Sequence, residues 1–160
     1  MNTQIENVKN EFLQAKEGLL KALSTTPEER LNWSPSPTAR TPLEVAVHAA
    51  LVIGFFADTL DGSPWVAPTT AEADQGFREA ENCYTSRDEV LRLIDVKADA
   101  FVACLKGLAP ERLGVLVDMP FGLDPMPVAV FITFPTLHTR SHIPQIEYIQ
   151  TIYGDRDWRM

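Results

Sequence analysis

The chain has three histidines, His48, His138 and His142, and their placement suits a metal ion. His138 and His142 bracket the segment His-Thr-Arg-Ser-His, an i, i+4 pair whose side chains lie one above the other on a helix face. Neutral imidazoles at that spacing present ring nitrogens to one point, and a third from a neighbouring helix would complete one face of a coordination sphere. Three protein ligands leave a position open for water or substrate, the arrangement of catalytic rather than structural zinc sites. Imidazole suits zinc, nickel, copper and iron(II), so ligand type narrows the metal only to that group. Such a cation makes bound water or a bound thiol more acidic and creates a nucleophile near neutral pH. The alternative is three unrelated core histidines with hydrogen-bonded rings. All three stand in strongly apolar helical patterns, where a buried polar ring needs a specific partner, and with no histidine to spare the metal reading is preferred.

Other polar residues are weaker candidates. Glu44 lies one turn before His48 and would serve as a fourth ligand or as a hydrogen-bond acceptor behind the ligands, in competition with a helix-capping role. Gln145, about one turn beyond His142, would orient a bound ligand or bond to a neighbouring helix. Arg140 would meet an anionic substrate only in a distorted helix. Trp33 and Arg40 line a pocket mouth, or Trp33 plugs the core. The glutamate that activates water in His-Glu-x-x-His proteases is replaced by Thr139. The Glu-x-x-His pairs of di-iron bundles are absent, as is any Gly-rich phosphate loop.

Four long helices are expected to position these groups. From about Asn2 to Leu23, Ile5, Val8, Phe12, Ala15, Leu19 and Leu23 form one apolar stripe. A Pro-rich connection follows to Arg40, with a short turn over Pro27 to Leu31. Thr41-Pro-Leu-Glu44 is a capping box with proline in the first turn and opens a second helix that runs to about Asp61 and stops at Gly62. Its body is apolar nearly all round, which places it in the interior. A long mixed connection is expected from Gly62 to Thr85. Ser86-Arg-Asp-Glu89 is a second capping box, and the helix it opens carries Val90, Ile94, Ala98, Phe101, Leu105 and Leu108 inward. The last helix begins near Asp124 or Pro127 and ends at Gly154, with Phe131, Pro135, His138, His142, Gln145, Ile149 and Ile152 as its inward stripe. Pro135 and Pro144 each predict a kink or break. No strand pattern is strong enough to build a sheet. The expectation is one all-α domain over 1–160, a four-helix bundle in up-down-down-up order, because the second connection is long enough to cross the bundle.

Composition excludes several classes of function. Apolar residues make up 45% and charged residues 22% of the 160-residue chain, an ordinary globular mix. The formal net charge is −8 and no Lys/Arg cluster occurs, which argues against a nucleic-acid partner. The N-terminus is polar without a signal-peptide pattern, and the run Val45 to Ala57 is too short to span a bilayer. A soluble cytoplasmic protein without a membrane partner is expected, with Cys83 and Cys104 as reduced thiols.

Two blocks carry a resemblance. Trp33-Ser-Pro-Ser-Pro-Thr-Ala-Arg-Thr-Pro-Leu-Glu-Val-Ala-Val-His48 resembles the tryptophan–proline entry into helix two of the DinB/YfiT-like superfamily. His138-Thr-Arg-Ser-His142-Ile-Pro-Gln145, with its apolar tail to Gly154, is similar to the family's final-helix signature. Ser141 and Pro144 depart from the aromatic and the glycine common there. The resemblance implies an up-down-down-up bundle, often a homodimer, with His48, His138 and His142 as ligands of nickel, zinc or iron(II). It also implies a small-molecule substrate and, in some members, transfer reactions using a low-molecular-weight thiol. The expected function is therefore a metal- and thiol-dependent S-transferase or a hydrolase. The contrasting expectation is a non-catalytic, stress-associated ligand-binding bundle with a structural metal or none.

Overall fold

The computed structural model describes residues 3–64 and 69–157. Helix α1 spans Thr3–Ser24 and buries all of Ile5, Val8, Phe12, Ala15, Leu19 and Leu23; Asn2, its expected start, lies outside the described residues. A single 3₁₀ turn, Glu28–Arg30, follows where the prolines bar a longer helix. Helix α2, Pro42–Leu60, opens on the expected capping box: the Thr41 hydroxyl accepts from the Glu44 N–H, and the Glu44 carboxylate accepts from the Thr41 N–H. Gly62, with φ of 90°, ends it in a backbone conformation that residues with a Cβ rarely adopt.

The connection after α2 differs from expectation. It contains a helix, α3, over Thr70–Glu81, capped by the Thr69 hydroxyl accepting from the Glu72 N–H. Residues 65–68, including Pro68 of the expected connection, lie outside the description. Helix α4, Arg87–Gly107, begins on the Ser86–Glu89 capping box and buries Val90, Ile94, Ala98, Phe101 and Leu105. A short antiparallel pair then appears where no strand was expected, β1 (Leu116–Val117) against β2 (Met126–Pro127).

The last helix is divided. Helix α5 is the single turn Val128–Phe131 and α6 runs Phe134–Ile152. Pro135 falls in the first turn of α6, where its missing N–H has no helical partner to lose, so the expected break is there. Pro144 instead stays inside a continuous α6. Within the predicted stripe, Phe131, Pro135, His142 and Ile149 are buried, whereas Ile152 is 47% exposed. Thr136, Thr139, Ile146 and Gln150 complete the buried face.

Helix α1 packs on α4 and α6, and α2 packs on the same two. Along α1 and α6 the contacts run in the same chain direction: Gly18 lies against Ile143, and further on the Gln150 amide donates to the Ala22 carbonyl at 3.0 Å. Gly54 with Lys97 and Ala57 with Cys104 do the same for α2 and α4. Phe12 with Phe101 and Lys16 with Asp95 run oppositely in α1 and α4. Two apolar clusters form the core, one around Phe12, Phe56, Phe101 and Phe131, the other around Leu19, Leu43, Ile94 and Ile146. On α6, His138 and His142 fall between them. The 19-residue α2 is long and apolar enough to cross a bilayer, contrary to the shorter run expected, but 72% of its apolar window is buried inside the protein. It is the core helix of the fold.

Candidate metal centre

His48 stands on α2 one turn after its capping box, so the fixed start of that helix sets its height. His138 and His142 stand one turn apart on α6, whose start is set by the α5–α6 break. The ligand nitrogens of the three rings lie within 4.8 Å of one another. The closest approach is His138 Nε2 to His142 Nε2, at 3.1 Å. Two imidazoles on one ion at about 2.1 Å would stand about 3.0 Å apart at a right angle and about 3.4 Å at the tetrahedral angle. The α6 pair is already at that spacing, and the set with His48 is more open.

Each of two rings is held by a partner at its other nitrogen. Glu81 Oε1 lies 3.1 Å from His48 Nδ1, and a carboxylate only accepts, so Nδ1 carries the proton and Nε2 keeps its lone pair. Gln145 Oε1 lies 2.8 Å from His142 Nδ1, which fixes that ring in the same way. This is how metal-ligating histidines are commonly oriented. His138 Nδ1 is buried without a hydrogen-bond partner. The 3.1 Å contact is then a hydrogen bond only while the His138 proton sits on Nε2, and a cation there takes the place of that proton.

Electrostatics favour neutral rings at His138 and His142. Burial, reinforced by His142 and His48 nearby, lowers the His138 pKa to about 3. Burial also lowers that of His142, against the opposing hydrogen bond it donates to Gln145 Oε1. Metal ligation requires unprotonated imidazole, so the site needs little deprotonation at neutral pH. Glu81 is fully buried at its side chain and lies 2.8 Å from Arg40 Nε, while Arg40 Nη2 donates to Asp74 at 2.9 Å. Burial alone would raise the Glu81 carboxyl, but the bonds from His48 and Arg40 prevail and hold it below the usual range. The three-imidazole donor set, with His48 and His142 oriented by their acceptors, therefore fits one divalent transition metal.

A cavity of about 230 Å³ opens on the edge of His48 and His138. Helix α2 contributes Val52, Phe55 and Phe56, α3 contributes Phe77, and the β1–β2 loop contributes Met119 to Phe121 and Leu123. Phe77 packs edge-on to the His48 ring at 4.7 Å. Phe121 has φ of 63°, a conformation that costs a residue with a Cβ about 1–2 kcal/mol.

The remaining predicted residues lie elsewhere, except Gln145. Glu44 is spent on the capping box and is not a ligand. Arg140 is half exposed and points to Glu11 on α1, at 4.0 Å. Trp33 packs edge-on to Tyr153 with Arg30 over its ring, against the second core cluster. Arg40, expected at a pocket mouth, lines a groove with Gln145 and Tyr148; sequence reasoning missed Glu81, its pairing with Arg40, and the aromatic wall. The Thr69-x-x-Glu72 cap was the one local signal that could have exposed α3.

The sequence matches the family profile described as the DinB superfamily over residues 11–146. Among curated proteins nothing matches. Similar solved structures include a DinB-like protein, YjoA, from Bacillus subtilis, at 14% identity with 96% of each chain covered and a TM-score of 0.68. Another is the sibling lethal factor precursor DfsB, at 18% identity, covering 98% of this chain and 100% of that one, with a TM-score of 0.74. A DinB-like protein from Bacillus cereus ATCC 10987 is 20% identical, with 92% and 95% covered and a TM-score of 0.67. At these identities the likeness is one of fold.

Proposed function

Because the chain belongs to the DinB superfamily, we propose that it is a divalent-metal-dependent enzyme acting on a small molecule through His48, His138 and His142. The observation that carries this reading is the pair of acceptors, Glu81 and Gln145, each fixing a ring so that its Nε2 faces the shared point. The metal is nickel, zinc or iron(II). When bound, it lowers the pKa of a coordinated thiol or water and so supplies a nucleophile near neutral pH. The chain supplies the rest. Glu81 and Gln145 hold the ligand rings in one tautomer, and the aromatic wall excludes water from the substrate. Among the described residues, those lining the cavity include no serine, cysteine, lysine or carboxylate, so none of them offers such a nucleophile.

The reaction is S-transfer. A low-molecular-weight thiol loses its proton, its sulfur bonds to an electrophilic carbon, and the leaving group departs with the electron pair. Hydrolysis, with water in place of the thiol, is the close variant. We take the four long helices as an up-down-down-up bundle, a reading supported by the direction of the α1–α6 and α2–α4 contacts. Pairing of two copies is part of the same reading, supported by exposed Leu137 and Tyr148 on α6. The test is to incubate metal-loaded protein with thiol–electrophile pairs and look for the S–C product by mass spectrometry. Product formation lost in His142→Ala supports S-transfer. No product with any thiol removes it, and release of hydrolysed electrophile instead would establish the variant.

A further inference from the structure

We infer that the cavity beside His48 and His138 is the subsite for an uncharged, apolar substrate body about the size of one substituted aromatic ring, and that Phe121 sets its size limit. The inference rests on the proposed metal centre for where the reacting group sits, but the choice of substrate body comes from the cavity itself.

Polarity excludes a charged body. Apart from the two histidine edges, every lining residue among the described residues is apolar. An ionised group buried among the aromatic rings, away from the metal edge, would have no partner, which is prohibitive in an apolar environment. The nearby cation cannot serve an anion, because Arg40 is held by Glu81 at Nε and by Asp74 at Nη2. Lys97 lines a separate groove on the other side of Phe55 and Phe77. The net charge of −8 adds a general bias against anions.

Size and shape narrow the occupant further. An engineered cavity of about 150 Å³ accommodates benzene, so about 230 Å³ holds one ring with a short substituent. The rings of Phe55, Phe56, Phe77 and Phe121 all border this space, and aromatic groups pair favourably edge-on or offset. Phe121 lines the cavity from a left-handed backbone position followed by Gly122, whose φ is 69°. Held there, its ring limits the length of what the cavity admits.

The test is calorimetric binding to the zinc-loaded full chain, with phenylmethanethiol, anionic 4-(mercaptomethyl)benzoate and cationic 4-(aminomethyl)phenylmethanethiol as probes that cannot chelate the metal. Indole serves as a probe that needs no metal. Phenylmethanethiol should bind about tenfold or more tighter than either charged thiol. Val52→Phe, which fills the cavity, should remove that preference. Phe121→Gly relieves the left-handed strain while removing the wall, and should shift preference by about fivefold or more toward naphthalen-2-ylmethanethiol. Charged thiols binding as tightly as phenylmethanethiol, or a selectivity that neither variant alters, would overturn the inference. If the protein takes up no metal, indole binding weakened by Val52→Phe still upholds the apolar subsite while removing the metal reading. No indole binding in that case would overturn the subsite as well.

Discussion

Replacing Glu81 tests how the centre is held. Its carboxylate contacts His48 Nδ1 at 3.1 Å and Arg40 Nε at 2.8 Å, and its side chain is fully buried. Glu81→Ala would leave a guanidinium and an imidazole N–H without their acceptor. Breaking a buried pair on one side costs about 3–5 kcal/mol. The Arg40 side chain keeps 18% exposure and its bond to Asp74, so the lower end, about 3 kcal/mol, is expected. At about 2–4 °C per kcal/mol for a chain of this size, the melting temperature should fall by about 6–12 °C. Glu81→Gln keeps the shape and one acceptor oxygen, and should cost about 1–3 kcal/mol. Both should weaken metal binding by about 10–100-fold, because His48 loses the group that orients it. The assays are thermal melts of chelator-treated protein and competitive zinc titration. Refutation would be a Glu81→Ala protein that melts within about 2 °C of the native one and binds zinc equally well.

Three further outcomes follow from the same structure. Between about pH 6.5 and 3 the unfolded chain carries a proton on His138 that the folded chain does not, so unfolding takes up a proton and acid favours it. Urea unfolding of the metal-free protein should therefore show stability complete above about pH 6.5 and about 2 kcal/mol lower at pH 5; equal or higher stability at pH 5 would contradict the burial argument. Gly76 is interior to α3, and a Cβ there would meet nothing within 4 Å. Gly76→Ala should raise stability by about 0.5–1 kcal/mol through helix propensity, read as a melting temperature about 1–4 °C higher. Phe101 is fully buried and packs edge-on to Phe12 at 4.8 Å, so Phe101→Ala should cost about 3–5 kcal/mol in urea unfolding.

Local signals predicted the elements whose cause is local. The capping boxes at Thr41 and Ser86 are present as written in the sequence, because a cap involves residues only three apart. The stripes of α1 and α4 are buried as the 3.6-residue period requires. Helix α3 escaped because its only buried residues are Ala73 and Glu81, which leaves no apolar period to read. Glu81 escaped for a deeper reason. A glutamate at the end of a polar helix reads as solvated, and its burial depends on Arg40 and His48, 41 and 33 residues away in the chain. The three histidines were legible as a set because their types already carry the chemistry. The cavity was not, since Phe55, Phe77 and Phe121 come together only through tertiary packing.

Metal analysis of the untagged protein, with His138→Ala prepared alongside, addresses the three-histidine centre most directly. About one zinc, nickel or iron per chain is expected in the native protein, and none in the variant, with both remaining folded by circular dichroism. The absence of metal from the native protein, even after incubation with each of the three ions, would contradict the centre, as would equal metal in both proteins.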